Sequence, residues 1–288
     1  MMKTRTLLVM MIALLMTACT DHNRYGDLTL VVSHEVDGQP LVTDTLCYST
    51  EAGNRFLVTE IQWFLSNLEL CDTQGRWIAL GDVFYFDTNL PERQTIRFEA
   101  VPATTYRTLR FTFGMNDTNN LTGRFSNPPE RDMFWPEPLG GGYHYMKLNG
   151  KYLDGDGNLA PMNIHLGRGQ NADFTEFYDN SFSVEIPVEL TVIESGDNAL
   201  NLVMTVNHWF CNPNLYDINA FGSAIMQNQE AQQALKENGH NVFSTKTTNP
   251  MESPVKTPAD LLRKAAPKPH FMTWGNIKKT LSGIKEKL

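Results

Sequence analysis

The chain has 288 residues, 41% of them hydrophobic and 19% charged, enough apolar material for one large domain or two of ordinary size. Its formal charge of -8 is unevenly spread: residues 246–288 carry nine basic and three acidic side chains, so this tail is +6 and residues 19–245 stand at -16. An acidic body excludes nucleic acid as its partner, since phosphate recognition needs a concentrated basic face.

The first element is a targeting signal. Lys3 and Arg5 precede an apolar run from Leu7 to Met16, too short to cross a bilayer. Cys19 follows Thr17 and Ala18, a junction that resembles a bacterial lipoprotein processing site. The expectation is a signal peptide over residues 1–18 and a lipid on Cys19. That lipid would hold a water-soluble domain to the cell envelope, at the outer membrane.

The body, residues 19–245, alternates with period two. Leu28 to His34 is the first such run, followed by Phe56 to Leu65, Asn67 to Cys71, Trp77 to Leu80 and Val83 to Phe86. Thr95 to Glu99, Thr108 to Phe113, Tyr143 to Leu148, Phe182 to Ile186 and Ala199 to Val206 continue it. Short alternating runs divided by Gly, Asn, Asp and Pro predict an all-β chain folded as an antiparallel β-sandwich. Repeated βα units and a Gly-rich phosphate loop are absent from the sequence, which argues against a nucleotide enzyme. Nor is there a G-x-S-x-G or H-E-x-x-H motif, and the protein reads as a non-enzyme. Cys47 and Cys71 fall in adjacent predicted strands and are the pair that could form a disulfide; Cys211 is then left over.

Three segments interrupt the alternation. Asn116 to Gly142 is long, polar and rich in proline, and a loop of that length is functional or disordered. Asp154 to Asn158 begins like a calcium loop, but Leu159 stands where that loop needs glycine, so a hairpin turn is expected. Ala220 to Asn238 reads as a helix with Ile225, Met226, Ala231, Ala234 and Leu235 on its apolar face and Gly239 as its stop. Beyond Phe243 five prolines mark a linker, and Trp274, Ile277, Leu281, Ile284 and Leu288 recur at helical spacing in a basic tail.

The densest chemistry lies between Asp132 and Gly169, where Met133, Trp135, His144, Met146, Met162 and His165 gather around Gly140, Gly141 and Gly142. Imidazoles and thioethers at that density suit copper better than calcium or magnesium. Zinc also accepts histidine. A metal-free adhesion or glycan-binding module is the rival reading, with the aromatic loop from Phe125 to Tyr145 stacking on sugars.

Six segments in order carry a family resemblance: Y-S-T-E-A-G-N-R-F from Tyr48, I-Q-W-F-L-S-N-L-E-L from Ile61, L-R-F-T-F-G-M-N-D from Leu109, D-M-F-W from Asp132, G-G-Y-H-Y-M-K-L-N-G from Gly141 and I-H-L-G from Ile164. Over roughly residues 27 to 245 the chain resembles the MbnP-like copper-binding family. The resemblance implies an exported β-sandwich that binds copper for acquisition, storage or delivery. It also implies a partner, a di-haem cytochrome c peroxidase of the MbnH type, that oxidises a tryptophan to kynurenine near the copper. Carried over by residue, His165 and His34 are the leading ligands, His144 the third, and Trp135 the modified tryptophan. Trp135 is expected in an exposed loop within reach of the haem protein, and His34 and His165 are expected to meet across the sandwich.

Overall fold

The structure is a computed structural model that describes residues 24–246. The signal segment, Cys19 and the tail from residue 247 onward lie outside the described residues. Within them the chain runs β1 (Tyr25–Val36), β2 (Gln39–Pro40), β3 (Tyr48–Ser49), β4 (Arg55–Asp72), β5 (Trp77–Asp87), β6 (Thr95–Pro102), β7 (Thr105–Phe113), β8 (Met146–Leu153), β9 (Leu159–Leu166), β10 (Gly169–Gln170), β11 (Phe177–Tyr178), β12 (Phe182–Thr191), β13 (Asp197–Thr205), α1 (Ile218–Phe221), α2 (Gln229–Gly239) and β14 (Phe243–Lys246).

The alternating runs build an all-β sandwich. One sheet has the order β14-β13-β1-β2, with β6 also paired to β1. The other has the order β12-β7-β4-β8-β9, with β3 and β5 also paired to β4, and β10 and β11 form a separate ribbon. The pairing is antiparallel with one exception, β1 beside β13, which run parallel from Asp27 opposite Asp197 to Glu35 opposite Thr205.

Strand β4 organises the second sheet, and its alternation is broken twice. Register shifts at Val58/Glu60 and again at Ser66/Glu69 change which parity faces inward. Phe56 and Val58 point into the sandwich, then Ile61, Trp63 and Leu65, then Leu68 and Leu70. Such bulges add a residue to one strand and re-aim the side chains beyond it. Between the two shifts the strand is apolar on its other face too, where Phe64 stacks on Phe125 at 5.4 Å and meets the edge of Tyr143 at 6.3 Å. Segment 116–142 therefore forms an ordered cover. Met115, Met133 and Tyr143 join Phe64 and Tyr85 in a second apolar cluster outside the sandwich core. Sequence polarity hid this because few residues of the segment turn inward, Phe125, Met133, Trp135 and Leu139, while Leu121 and Phe134 stay exposed.

Inside the sandwich one polar contact joins the two sheets. The indole N–H of Trp63 donates to Nε2 of His34 at 3.1 Å, with His34 6% exposed and Trp63 fully buried. Because that N–H only donates, the His34 lone pair is spent on it and the ring is neutral. Burial pushes the His34 pKa down to about 4, against a weaker upward pull from Asp87.

Several expectations need correction. Cys47, Cys71 and Cys211 are all free. Tyr48 pairs with Phe56 at one end of β4, whereas Cys71 is near the other end, on the order of 40 to 50 Å of strand away. The expected helix over 220–238 begins only at Gln229, where Asn228 caps it by accepting from Ala231 N at 3.0 Å; Ile225 and Met226 precede it. Ordered pairing also continues past Phe243, since Ser244, Thr245 and Lys246 lie beside Val203, Leu202 and Asn201. The Asp154 turn is a hairpin turn, its carboxylate accepting from Asp156 N and Asn158 N.

Two outcomes test this architecture. Phe64→Ala removes the ring on which the cover packs and is expected to cost about 3 to 5 kcal/mol; limited proteolysis should then cut within 116–142 while the sandwich core stays protected. For His34 the folded pKa lies below the unfolded value of about 6.5, so its contribution is full above that value and is lost as pH falls toward 4, at about 1.4 kcal/mol per unit. His34→Gln keeps an acceptor for Trp63 and should flatten this part of the acid slope in urea unfolding between pH 7 and 4.

Candidate metal centre

Face assignment follows from register, because residues directly opposite in a sheet point to the same side. Leu166, Met146 and Trp63 lie side by side across β9, β8 and β4 and face the sandwich core. His165, Lys147 and Gln62 form the adjacent row and therefore face the other way, under the cover. His34 contacts Trp63 on the core face. The expected meeting of His34 with His165 is thus overturned: the seven-stranded sheet stands between them.

The structure brings His165 to His144 instead. Their ring centroids are 5.1 Å apart at 83°, and Trp135 approaches His144 edge-on at 4.7 Å. His144 precedes β8 and is held to the cover by a ladder of bonds. Its backbone N–H and its Nδ1–H both donate to Met133 O, at 2.7 and 2.9 Å, and Trp135 N donates to Gly142 O at 2.8 Å. Gly140, Gly141 and Gly142 adopt φ of 103°, 65° and 84°, a run open to glycine alone. A Cβ on Gly142 would strike the Asn120 side chain at 2.5 Å. The triple glycine is a fixed left-handed turn that returns the chain to β8.

Hydrogen bonding fixes both tautomers. Met133 O can only accept, so the proton of His144 sits on Nδ1 and its Nε2 carries the lone pair. That Nε2 is buried and has no partner. Asn149 Nδ2 donates to Glu60 Oε2 at 3.4 Å, which turns its Oδ1 toward His165 to accept from Nε2–H at 2.8 Å. Nδ1 of His165 then carries the lone pair. A carboxamide or carbonyl behind each ring is the arrangement that orients metal-ligating imidazoles.

Both rings are kept neutral. Burial lowers the His144 pKa to about 3, helped by the Lys147 charge and opposed by the bond to Met133. Burial and then Lys147 lower that of His165 to about 4. Among the described residues no group of three or more His, Cys, Asp or Glu could hold a metal, so two imidazoles are the strong donors here.

Trp135 is not in an exposed loop. It is 1% exposed, its Nε1–H donates to Leu139 O at 2.9 Å, and its six-membered ring fills the space over Gly167, where a Cβ would meet it at 2.5 Å. The neighbouring Phe134 is 62% exposed. Of the ring-bearing residues from Phe125 to Tyr145, Phe134 alone is presented to solvent, which removes the stacking platform that a glycan-binding loop would need. The methionines are packing residues. Met146 and Met162 lie in the inter-sheet core and Met133 in the outer cluster, where its carbonyl and not its sulfur meets His144. Asn149 and Lys147 were missed from sequence; counting back from the Asp154 turn would have set Lys147 opposite His165 and shown Asn149 on the same face.

The match to solved structures includes the chain described as MbnP from Methylosinus trichosporium, with a TM-score of 0.52 and 14% identity, covering 77% of this chain and 99% of that one; at this identity the likeness is one of fold. No curated protein matches the chain by sequence. The MbnP family model matches residues 25–229, most of the sequence, and the chain belongs to the MbnP family.

Proposed function

We propose that the protein binds copper(I) between His144 and His165, with Trp135 beside the ion, and serves copper acquisition, storage or delivery in the cell envelope. The observation that carries this reading is the buried, unpartnered Nε2 of His144, in a ring whose centroid is 5.1 Å from that of a second neutral imidazole. Leaving a buried polar atom without a partner costs about 1 to 3 kcal/mol, which a bound cation would recover. With metal–nitrogen bonds of about 2 Å, rings whose centroids are 5.1 Å apart would share one ion at a bent angle and not in line. Zinc in a structural site takes four ligands, and the described residues gather no such set. Copper(I) accepts fewer and softer donors.

Lipidation at Cys19 would place the domain in the envelope, at the outer membrane; this part rests on the sequence of the leader. Among the described residues no helix is long and apolar enough to cross a membrane. Oxidation of Trp135 to kynurenine by a di-haem peroxidase of the MbnH type is the second half of the proposal. Two equivalents of hydrogen peroxide, acting through the haem, would open the indole to N-formylkynurenine, and hydrolysis would release the ring carbon as formate, leaving a side chain with one carbon fewer and one oxygen more. Because the indole is enclosed, the haem would draw its electrons through intervening groups such as Phe134 and not by contact.

His144→Ala and His165→Ala should each weaken copper(I) binding at least a hundredfold in chelator competition, whereas His34→Ala should lower stability and leave affinity within about threefold. Equal loss in all three, or no loss in the first two, contradicts the assignment. With protons competing only near pH 3 to 4, affinity should also hold flat from pH 8 to about 5. For Trp135, peptide mass spectrometry of protein from its native host should find the carbon-for-oxygen exchange, and unmodified tryptophan throughout would remove that step.

A further inference from the structure

Lys147 is the charged residue of the site whose placement the ligand set leaves unexplained. It stands on β8 directly opposite His165 on β9, where side-chain roots lie about 5 Å apart. A lysine on an outer sheet face ordinarily extends into water. This one turns under the cover and donates from Nζ to Asp132 O at 2.7 Å, beside the short helical turn that carries Met133. Its hydrogen bond thus goes to a neutral carbonyl. The carboxylates that act on it, Glu60 and Asp132, are engaged elsewhere: Glu60 accepts from Asn89 and Asn149, and Asp132 pairs with Arg131. The ammonium is therefore tied to the carbonyl of Asp132, one residue before the Met133 carbonyl that holds His144, on a side chain that starts directly opposite His165.

We propose that Lys147 is a specificity-determining residue whose fixed positive charge makes the His144–His165 pair selective for a singly charged ion, copper(I), over divalent zinc or copper(II). The inference rests on the copper reading above. Its physical basis is that Coulomb repulsion scales with the product of the charges, so a dication suffers twice the penalty of a monocation at the same place. A site of two neutral donors has no anion of its own to offset this, and the lysine discriminates by charge where the imidazoles cannot.

The full chain is titrated with copper(I) and with zinc(II) in chelator competition, as wild type, Lys147→Met, Lys147→Arg and Glu60→Gln. Lys147→Met should tighten copper(I) by about three- to tenfold and zinc(II) by the square of that factor, about ten- to a hundredfold, while Lys147→Arg stays near wild type. Because Lys147→Met also frees the Asp132 carbonyl and can loosen the cover, Glu60→Gln is the paired measurement. It leaves the bond of Lys147 to Asp132 O untouched, removes one of the two carboxylates that act on the ammonium, and should weaken zinc(II) more than copper(I). Equal shifts for the two metals in both Lys147→Met and Glu60→Gln overturn the role of Lys147 and leave the copper reading standing. A wild type that binds neither metal overturns both.

Discussion

Strand β4 must be covered on both sides, and the rest of the molecule answers to that requirement. A sheet with one apolar face needs one partner layer, which the smaller sheet supplies through Leu28, Leu30, Val32 and Val36 of β1. Between its two bulges β4 carries Trp63 on one face and Phe64 on the other, both fully buried. Leaving Phe64, Tyr85 and Tyr143 in water would forgo about 1.5 to 3 kcal/mol for each large ring. The chain therefore commits residues 116–142 to a second cover instead of a solvent loop.

That cover makes the candidate metal centre. Met133 is drawn down by the outer apolar cluster, and its carbonyl, now fixed, receives both protons that His144 can offer it. The left-handed run at Gly140 to Gly142 lets the chain reverse within hydrogen-bonding distance of Trp135. The indole then closes over Gly167, immediately after the strand that presents His165. Packing, backbone conformation and tautomer are consequences of one burial problem. His34 belongs to a different one, the polar contact between the two sheets, and its chemistry is consumed by Trp63.

Much of this was legible in the sequence. Alternation located nearly every long strand, because a half-buried strand cannot avoid period two. What alternation cannot show is the side a residue faces once a bulge has intervened. His34 and His165 both read as strand histidines beside core positions, and their separation by the sheet follows from register. The alternation of Tyr143 to Leu148 predicts a half-buried strand, yet Tyr143, His144 and Tyr145 are all buried, because the cover lies on the face opposite the core and regular pairing of β8 begins only at Met146. The cover was read as polar because its composition is polar. Phe125, Met133, Trp135 and Leu139 are the residues that decide its position, and a composition average gives them no weight. Trp135 was placed in solvent for the same reason.

The resting state of the pair is unbalanced at one atom. The groups that hold the two rings are satisfied, Trp135 by Leu139, Asn149 by Glu60 and His165, Lys147 by Asp132, whereas His144 Nε2 is not, and in the cover Asn120 Nδ2 is unpartnered as well. Against that background one unpartnered nitrogen is a local cost the fold could have removed by placing a hydroxyl or amide opposite it. Protonation gives no relief, since burial and Lys147 hold the ring neutral far below physiological pH. Solvent is excluded by the same cover that holds Met133. A ligand that brings positive charge without a large hydration shell is what such an atom can accept, and whatever binds there stabilises the covered state by the free energy of binding. The cover and the tautomer are coupled in this way to anything that binds there: loosening segment 116–142 would rehydrate Nε2 and give it water as a partner.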